Sequence, residues 1–431
     1  MAGTPKHCSV VAQSQGASPD RVPEKLSLTE ARRLAFLHNW DLIAAQAGVD
    51  QAAAQRMVSH EFPNPTFSWS TAKINVGEGN APSSTPSGNG VFDRTYDTIL
   101  AINQLYEIGG KRTARQKSAQ AGLEAMEASF RDARRTLDLG VDKAYIASLL
   151  AEENVRVLTQ SAQSLRREAD IAGARLKAGD ISEADRGQIE IAADQLELNA
   201  QAAQSTACAA RIAVEVLLGV RHPLGTWKAA DSLASLAGLP LDLHSGDPEQ
   251  RPDLQSAEAS LRKAGADLDL QRAIRIPDPT FLVEYEHNPP DQPTTVGVGV
   301  SFPLPLWNWN TGNIRAAQAT RAQAAAQVGK VRTQVAADIA TAEDAWHEAQ
   351  RRWRRYEAEV RPRSAKVVES VEYSYKKGGA ALVDLLQAER SDNDVRIATA
   401  QAMADSATAA VSLALARNST LESAMKPAHK P

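Results

Sequence analysis

The chain has 431 residues, enough for two or three ordinary domains, yet only 5% are aromatic, so no large aromatic core is being built. Acids and bases are interspersed and sum to a net charge of −4, which excludes the basic footprint that nucleic-acid binding requires. The two cysteines, Cys8 and Cys208, make neither a disulfide framework nor a zinc site.

Residues 1–25 read as a flexible polar leader without the apolar run of a secretory signal, so export requires a signal that this stretch does not show. Cys8 follows MAGTPKH, which is not the apolar run of a lipoprotein signal, and is expected to be an incidental residue of that tail. A helix is expected from about Leu28 to Ser59, opened by Ser27 with Glu30 three residues on, the pattern of a capping box. Pro63 and Pro65 then stop it. Strands follow at 66–74 and 94–106, separated by GEGNAPSSTPSGNG, a loop composition with no apolar pattern. A long helix is expected over 110–177 and another from just after Asp180 to 218.

Residues 219–250, with scattered glycine and proline, read as a connecting segment. Beyond it the order repeats: a helix over 251–273, Pro277 and Pro279, strands at 280–287 and 294–303 around NPPDQP, long helices over 312–376 and 381–416, and a tail at 417–431. Three landmarks recur in the same order. PNPTF at 63–67 matches PDPTF at 277–281, Gly110-Lys111-Arg112 matches Gly312-Asn313-Ile314, and both halves carry G-x5-D-x2-Q. The last comprises Gly179, Asp185 and Gln188 in the first half, and Gly378, Asp384 and Gln387 in the second. The chain is therefore read as two repeats, 26–218 and 251–416.

A helix from 110 to 177 is about 100 Å long, too long to wrap one globular core. Leu137, Val141, Tyr145 and Leu149 recur at helical spacing, so such a helix buries a stripe against equally long neighbours. A cytosolic coiled-coil rod shares that periodicity. The strands argue differently. Val296, Val298 and Val300 alternate with Gly297, Gly299 and Ser301, and Phe281, Val283 and Tyr285 with Leu282 and Glu284. This is the two-residue period of a membrane β-barrel strand, and two isolated hairpins would be marginal alone. No stretch approaches the run of about 18 apolar residues that a transmembrane helix requires.

The duplicated layout, the Gly-x5-Asp turns and QLYEIGGKR at 104–112 resemble the bacterial outer-membrane factors, the TolC-like tunnel proteins, over about 26–416. EIGGKRTAR together with PNPTF is most similar to their cobalt–zinc–cadmium efflux branch. The resemblance implies a mainly α fold with a β-barrel. Three copies of the chain would each give four strands to one outer-membrane barrel, continued by a long periplasmic α-helical barrel. It implies as partners a homotrimer, a periplasmic membrane-fusion adaptor, an inner-membrane resistance–nodulation–division pump and outer-membrane lipid. The expected role is exit duct for divalent heavy-metal cations, with drug or small-organic efflux as the alternative within the family and a soluble coiled-coil scaffold as the rival from another class.

By the same resemblance, the turns at Gly179 and Gly378 form a closable periplasmic tip. Asp384 matches a pore-facing aspartate, Gln387 stands where a second acid is frequent, and Asp185 and Tyr375 match a hydrogen-bonded latch. The basic residue two after the family's glycine is Ala380 here. Helix capping by Asp185 and Asp384 is an equally direct reading, since carboxylates are favourable near a helix start. Pro63, Pro65, Pro277 and Pro279 are expected at the joints where helix gives way to barrel wall, with Phe67 and Phe281 opening the lipid-facing row. The eight histidines form no pair at i,i+3 or i,i+4 spacing, so no metal site and no cofactor is expected. The run Arg351–Arg355 reads as a solvated helix face, and no nucleophile–base constellation suggests an enzyme.

Overall fold

A computed structural model describes residues 21–72, 97–179, 181–238, 246–288 and 292–419. The expected leader with Cys8, the GEGNAPSSTPSGNG loop, the centre of NPPDQP and most of the tail lie outside the described residues. Two compact units emerge, one of Met1–Ala47, Ser129–Pro252 and Arg332–Pro431, the other of Gly48–Ala128 and Asp253–Val331. Each unit draws on both sequence repeats.

The first unit opens with a two-residue strand, β1 (Lys25–Leu26), paired in parallel with β4 (Lys228–Ala229) from the connecting segment. The reading as leader and linker missed this pair because two residues are too few to show alternation. Helix α1 (Leu28–His38) starts on Ser27, whose hydroxyl accepts the Glu30 N–H at 3.2 Å. Glu30 itself turns to Arg33. The expected single helix is split at Asn39, which is extended at ψ 126 and caps α2 (Trp40–His60) by accepting the Leu42 N–H at 3.0 Å. Its amide nitrogen donates to Leu217 O at 3.0 Å.

Helix α3 (Lys111–Ala178) runs 68 residues, followed by α4 (Glu183–Leu217) and the short α5 (Leu233–Ala237). Tyr145 of α3 stacks on Trp227, ring centroids 5.9 Å apart, and its hydroxyl lies 2.8 Å from Leu26 O and 2.9 Å from Asp231 Oδ2. Burial first, then that aspartate, raises the phenol's pKa. Arg32 of α1 grips Asp142 of α3 with two hydrogen bonds of 2.6 Å.

In the second unit, α6 (Pro252–Ala273) meets the start of α3 through Ser256 Oγ on Ala125 O at 3.1 Å and Arg262 on Glu124 at 2.8 Å. Its sheet holds β2 (Thr66–Ala72), β3 (Asp97–Leu105), β5 (Thr280–Asn288) and β6 (Gln292–Ser301), in the order β2-β3-β5-β6 and antiparallel throughout. The two hairpins are thus joined through β3 and β5, from Thr98 opposite His287 to Leu105 opposite Thr280.

The expected helix 312–376 is interrupted. Helix α7 (Thr311–Arg355) passes through one π turn, Tyr356–Val360, into α8 (Arg361–Lys376), and α9 (Leu382–Ala416) follows. Pro362 accounts for the interruption: it has no N–H to donate and its ring crowds the carbonyl four residues back. The Arg361 N–H instead reaches Tyr356 O.

Candidate functional site

Residues opposite each other in an antiparallel pair share a face, so the register sorts the second unit's sheet. One row is Trp69, Leu100, Tyr285 and Val296; the next is Phe67, Ile102, Val283 and Val298; a third joins Phe281 to Val300. The other face carries Ser68, Ala101, Glu284 and Gly297 in one row, and Ser70, Ile99, Glu286 and Thr295 in another. The apolar face is uncovered, Val298 being 83% exposed, while on the other face Glu284, Glu286, Thr295 and Gly297 are half-buried and Ser68 and Ser70 are exposed. That is the reverse of a water-soluble sheet, which hides its apolar side. Gly297 leaves room for its neighbour, since a Cβ there would come within 2.7 Å of Glu284 Oε1.

Each proline pair stands between a helix end and a strand start. Pro63 and Pro65 separate α2 from β2, and Pro277 and Pro279 separate α6 from β5. Pro63 O accepts from Gln104 Nε2 at 3.0 Å and Pro279 O from the Tyr106 N–H at 2.9 Å, so both joints are tied to β3 or the residue after it. The EIGGKRTAR segment closes the same region. Buried Lys111 pairs with Asp278 at 2.7 Å, Asp278 also accepts the Ile108 N–H at 2.9 Å, and Arg115 pairs with Glu107 at 2.6 Å. Gly109 has φ +72, and a Cβ there would meet Ile276 at 2.9 Å. The ion pairs were not foreseen, although Asp278 in place of Asn64 was the visible signal. The repeat alignment also shifts here: the residue entering α7 with positive φ is Asn310 (φ 58), counterpart of Gly110 (φ 78), whereas Gly312 lies inside the helix.

In the first unit, Gly179 and Gly378 end α3 and α8 with φ of +83 and +77. Gly378 and Gly379 donate to Tyr375 O at 3.0 Å and Ser374 O at 2.8 Å, a Schellman closure that requires the left-handed residue. Asp185 and Asp384 occupy the same third position of the helices that follow. Asp185 Oδ2 accepts from the Ser182 N–H at 3.2 Å and hydroxyl at 2.8 Å, and Ser182 Oγ accepts the Asp185 N–H at 3.1 Å. Asp384 accepts the Ala381 N–H at 3.1 Å, and alanine has no side-chain oxygen to return the bond.

The expected Asp185–Tyr375 hydrogen bond is absent among the described residues. Asp185 is held by its cap, while the Tyr375 ring packs on the cluster of Leu165, Ile189 and Leu382, 5.4 Å from the Arg175 guanidinium. Gln387 is exposed, 3.4 Å from Ser391 Oγ, and with Gln188 it lines a cleft of about 530 Å³ floored by Leu165 and Leu386. The motif therefore brings its two glutamines to one cleft. Burial first, then the neighbouring Asp392 and Glu372, raises the pKa of Glu389 in its wall. The Arg351–Arg355 run stays largely exposed and pairs with Glu348, Gln350 and Asp405.

Among the described residues no helix is long and apolar enough to cross a membrane, and no three His, Cys, Asp or Glu side chains gather as a metal site. Long helices and a four-stranded antiparallel sheet whose apolar side is uncovered make up the described chain. The family model for outer membrane efflux proteins matches residues 31–220 and 248–419, and the chain belongs to that family. It is 26% identical over 314 residues to the cobalt-zinc-cadmium resistance protein CzcC of Cupriavidus metallidurans, covering 71% of this chain and 69% of the relative. It is 28% identical over 398 residues to the pyoverdine export outer membrane protein OpmQ of Pseudomonas putida, covering 84% and 80%. A solved structure of CusC shares the fold, with a TM-score of 0.77, 17% identity and coverage of 90% and 91%. The protein is an outer-membrane efflux channel of this family, and family and fold are not those of an enzyme.

Proposed function

We propose that three copies of the chain close one twelve-stranded barrel, each giving its four strands, and that the duct they form releases divalent heavy-metal cations. The observation that carries the barrel is the sheet with its apolar face uncovered, bounded by β2 and β6, whose outer edges pair with no strand among the described residues. A barrel of several copies removes those edges and gives the apolar rows to lipid. The inner face then carries Glu284 and Glu286, and the turns at Gly179 and Gly378 form a closable aperture with Asp384 and Gln387 on its rim. Rings of carboxylates favour cations over anions. The reading includes a periplasmic adaptor and an inner-membrane proton-driven pump to drive the export. The likeness to CzcC supports the metal cargo, and the likeness to OpmQ supports the second reading, a small organic molecule.

The cargo is tested by deleting the gene and measuring growth against zinc, cobalt, cadmium and a panel of antibiotics. Lost metal tolerance with unchanged antibiotic tolerance is expected. The opposite pattern overturns the metal reading and leaves the duct standing.

A further inference from the structure

On the polar face of the larger sheet, β5 presents Glu284 and Glu286, and β6 presents Thr295, Gly297, Gly299 and Ser301. The two glutamates have different neighbours. Glu286 stands opposite Thr295, whose Oγ1 lies 3.5 Å from its Oε2. Glu284 stands opposite Gly297 and is half-buried, yet among the described residues its carboxylate has no hydrogen bond or ion pair. Its side chain lies across that glycine. A Cβ at 297 would come within 2.7 Å of Oε1, 2.9 Å of Cγ and 3.2 Å of Cδ. The carboxylate therefore rests over β6, the edge strand, and not above its own strand.

Two observations identify what it reaches. The first is direction. The outer edge of β6 pairs with no strand among the described residues, and a strand added there would stand about 4.8 Å away. A side-chain hydroxyl on such a strand comes within hydrogen-bonding reach of a carboxylate seated on Gly297. The second is the chemistry of the opposite edge. On the same face β2 presents Thr66, Ser68 and Ser70, a hydroxyl at every position, and all three are exposed. Ser68 Oγ lies 3.5 Å from Ala101 O, and the other two hydroxyls have no partner among the described residues. Within one copy, β2 and β6 stand three strand spacings apart, about 14 Å, and Glu284 leans away from β2, so its own hydroxyl row is out of reach. The two free edges are different surfaces, and contacts between unlike surfaces close into rings of copies.

We propose that Glu284, seated on Gly297, is a clasp between copies of the chain: its carboxylate accepts hydrogen bonds from the hydroxyl row of β2 in the next copy, on the water side of the wall. Glycine at 297 makes the reach possible, and Glu286 is excluded from the role by its own threonine. The clasp rests on the reading of the sheet as one third of a shared barrel.

The test uses the full chain purified in detergent micelles and follows the loss of trimer during timed heating in sodium dodecyl sulfate, read by semi-native gel electrophoresis. Losing a hydrogen bond to a charged group corresponds to about a tenfold change, so Glu284→Ala is expected to shorten the trimer's half-life by about that factor or more. Glu284→Gln still accepts from a hydroxyl and is expected to fall in between, while Glu286→Gln should match the parent. Gly297→Ala displaces the carboxylate, and its effect is expected to vanish in a chain that already carries Glu284→Ala. The same is expected of Thr66→Val, Ser68→Ala and Ser70→Ala introduced together. Additive losses, or a Glu284→Ala trimer as long-lived as the parent, overturn the clasp and leave the barrel standing. A parent chain that is monomeric in the micelles brings down the barrel reading as well.

Discussion

Arg32 and Asp142 show how one ion pair fixes two helices of the first unit. Their side chains are 18% and 6% exposed, and both carboxylate oxygens are engaged. Burial nevertheless holds the Asp142 carboxyl above its ordinary range, with Arg32 pulling it back down. Replacing Arg32 by alanine removes that pull, and an abandoned buried charge costs about 3–5 kcal/mol. The folded-state pKa of Asp142 then rises further. A carboxyl raised in this way contributes its stability below the unfolded value, about 3.9, and loses it as pH rises through the folded one. Thermal unfolding of Arg32→Ala should therefore lag the parent most at neutral pH, and the deficit should narrow toward the acid end. Tyr375 gives a contrasting case. Its hydroxyl has no partner among the described residues while its ring is packed, so Tyr375→Phe should leave closed-state leakage in single-channel recordings near the parent level. Tyr375→Ala removes packing and the contact with Arg175, and should raise leakage clearly.

The elements differ in how far the sequence exposes them. The four strands were legible because alternation needs only neighbours a few residues apart, and the turns at Gly179 and Gly378 because a left-handed residue calls for glycine. The break at Asn39 was hidden: its amide is satisfied by Leu217, 178 residues away, and the local pattern reads as helix on both sides. The Asp185–Tyr375 pairing is not formed among the described residues, where the carboxylate at the third helical position accepts from Ser182 three residues back. The π turn at Tyr356–Val360 is a fault with a local cause in Pro362. Pro362→Ala restores the missing donor and removes the ring clash, an interior-proline penalty of about 3 kcal/mol where nothing compensates it. The π turn relieves part of that cost already, so a smaller gain is expected. Hydrogen exchange over residues 356–362 should slow in the variant. Unchanged exchange would show that packing, rather than proline, maintains the π turn.

At the scale of the whole molecule, the proposed barrel turns one side of the sheet to lipid, and the two faces have opposite chemistry. Val298 and Ser68 sit on opposite faces of one sheet, in rows that both cross from β2 to β6. An arginine on a lipid-facing position near the bilayer midplane costs about 2–4 kcal/mol, whereas one facing a water-filled lumen is tolerated. Val298→Arg should therefore reduce the protein recovered in outer-membrane fractions, and what is recovered should unfold more easily. Ser68→Arg should reach the membrane normally. Its guanidinium then shares a row with Glu284, so it adds positive charge to the water path and should shift the reversal potential in a salt gradient toward weaker cation preference. Equal loss of membrane protein in both variants would mean that both faces meet lipid or protein. A normal Val298→Arg beside a depleted Ser68→Arg would invert the sheet. Only the combination of a depleted Val298→Arg with an inserted, less cation-selective Ser68→Arg fits a duct whose outer wall is valine and aromatic and whose inner wall is glycine, serine and glutamate.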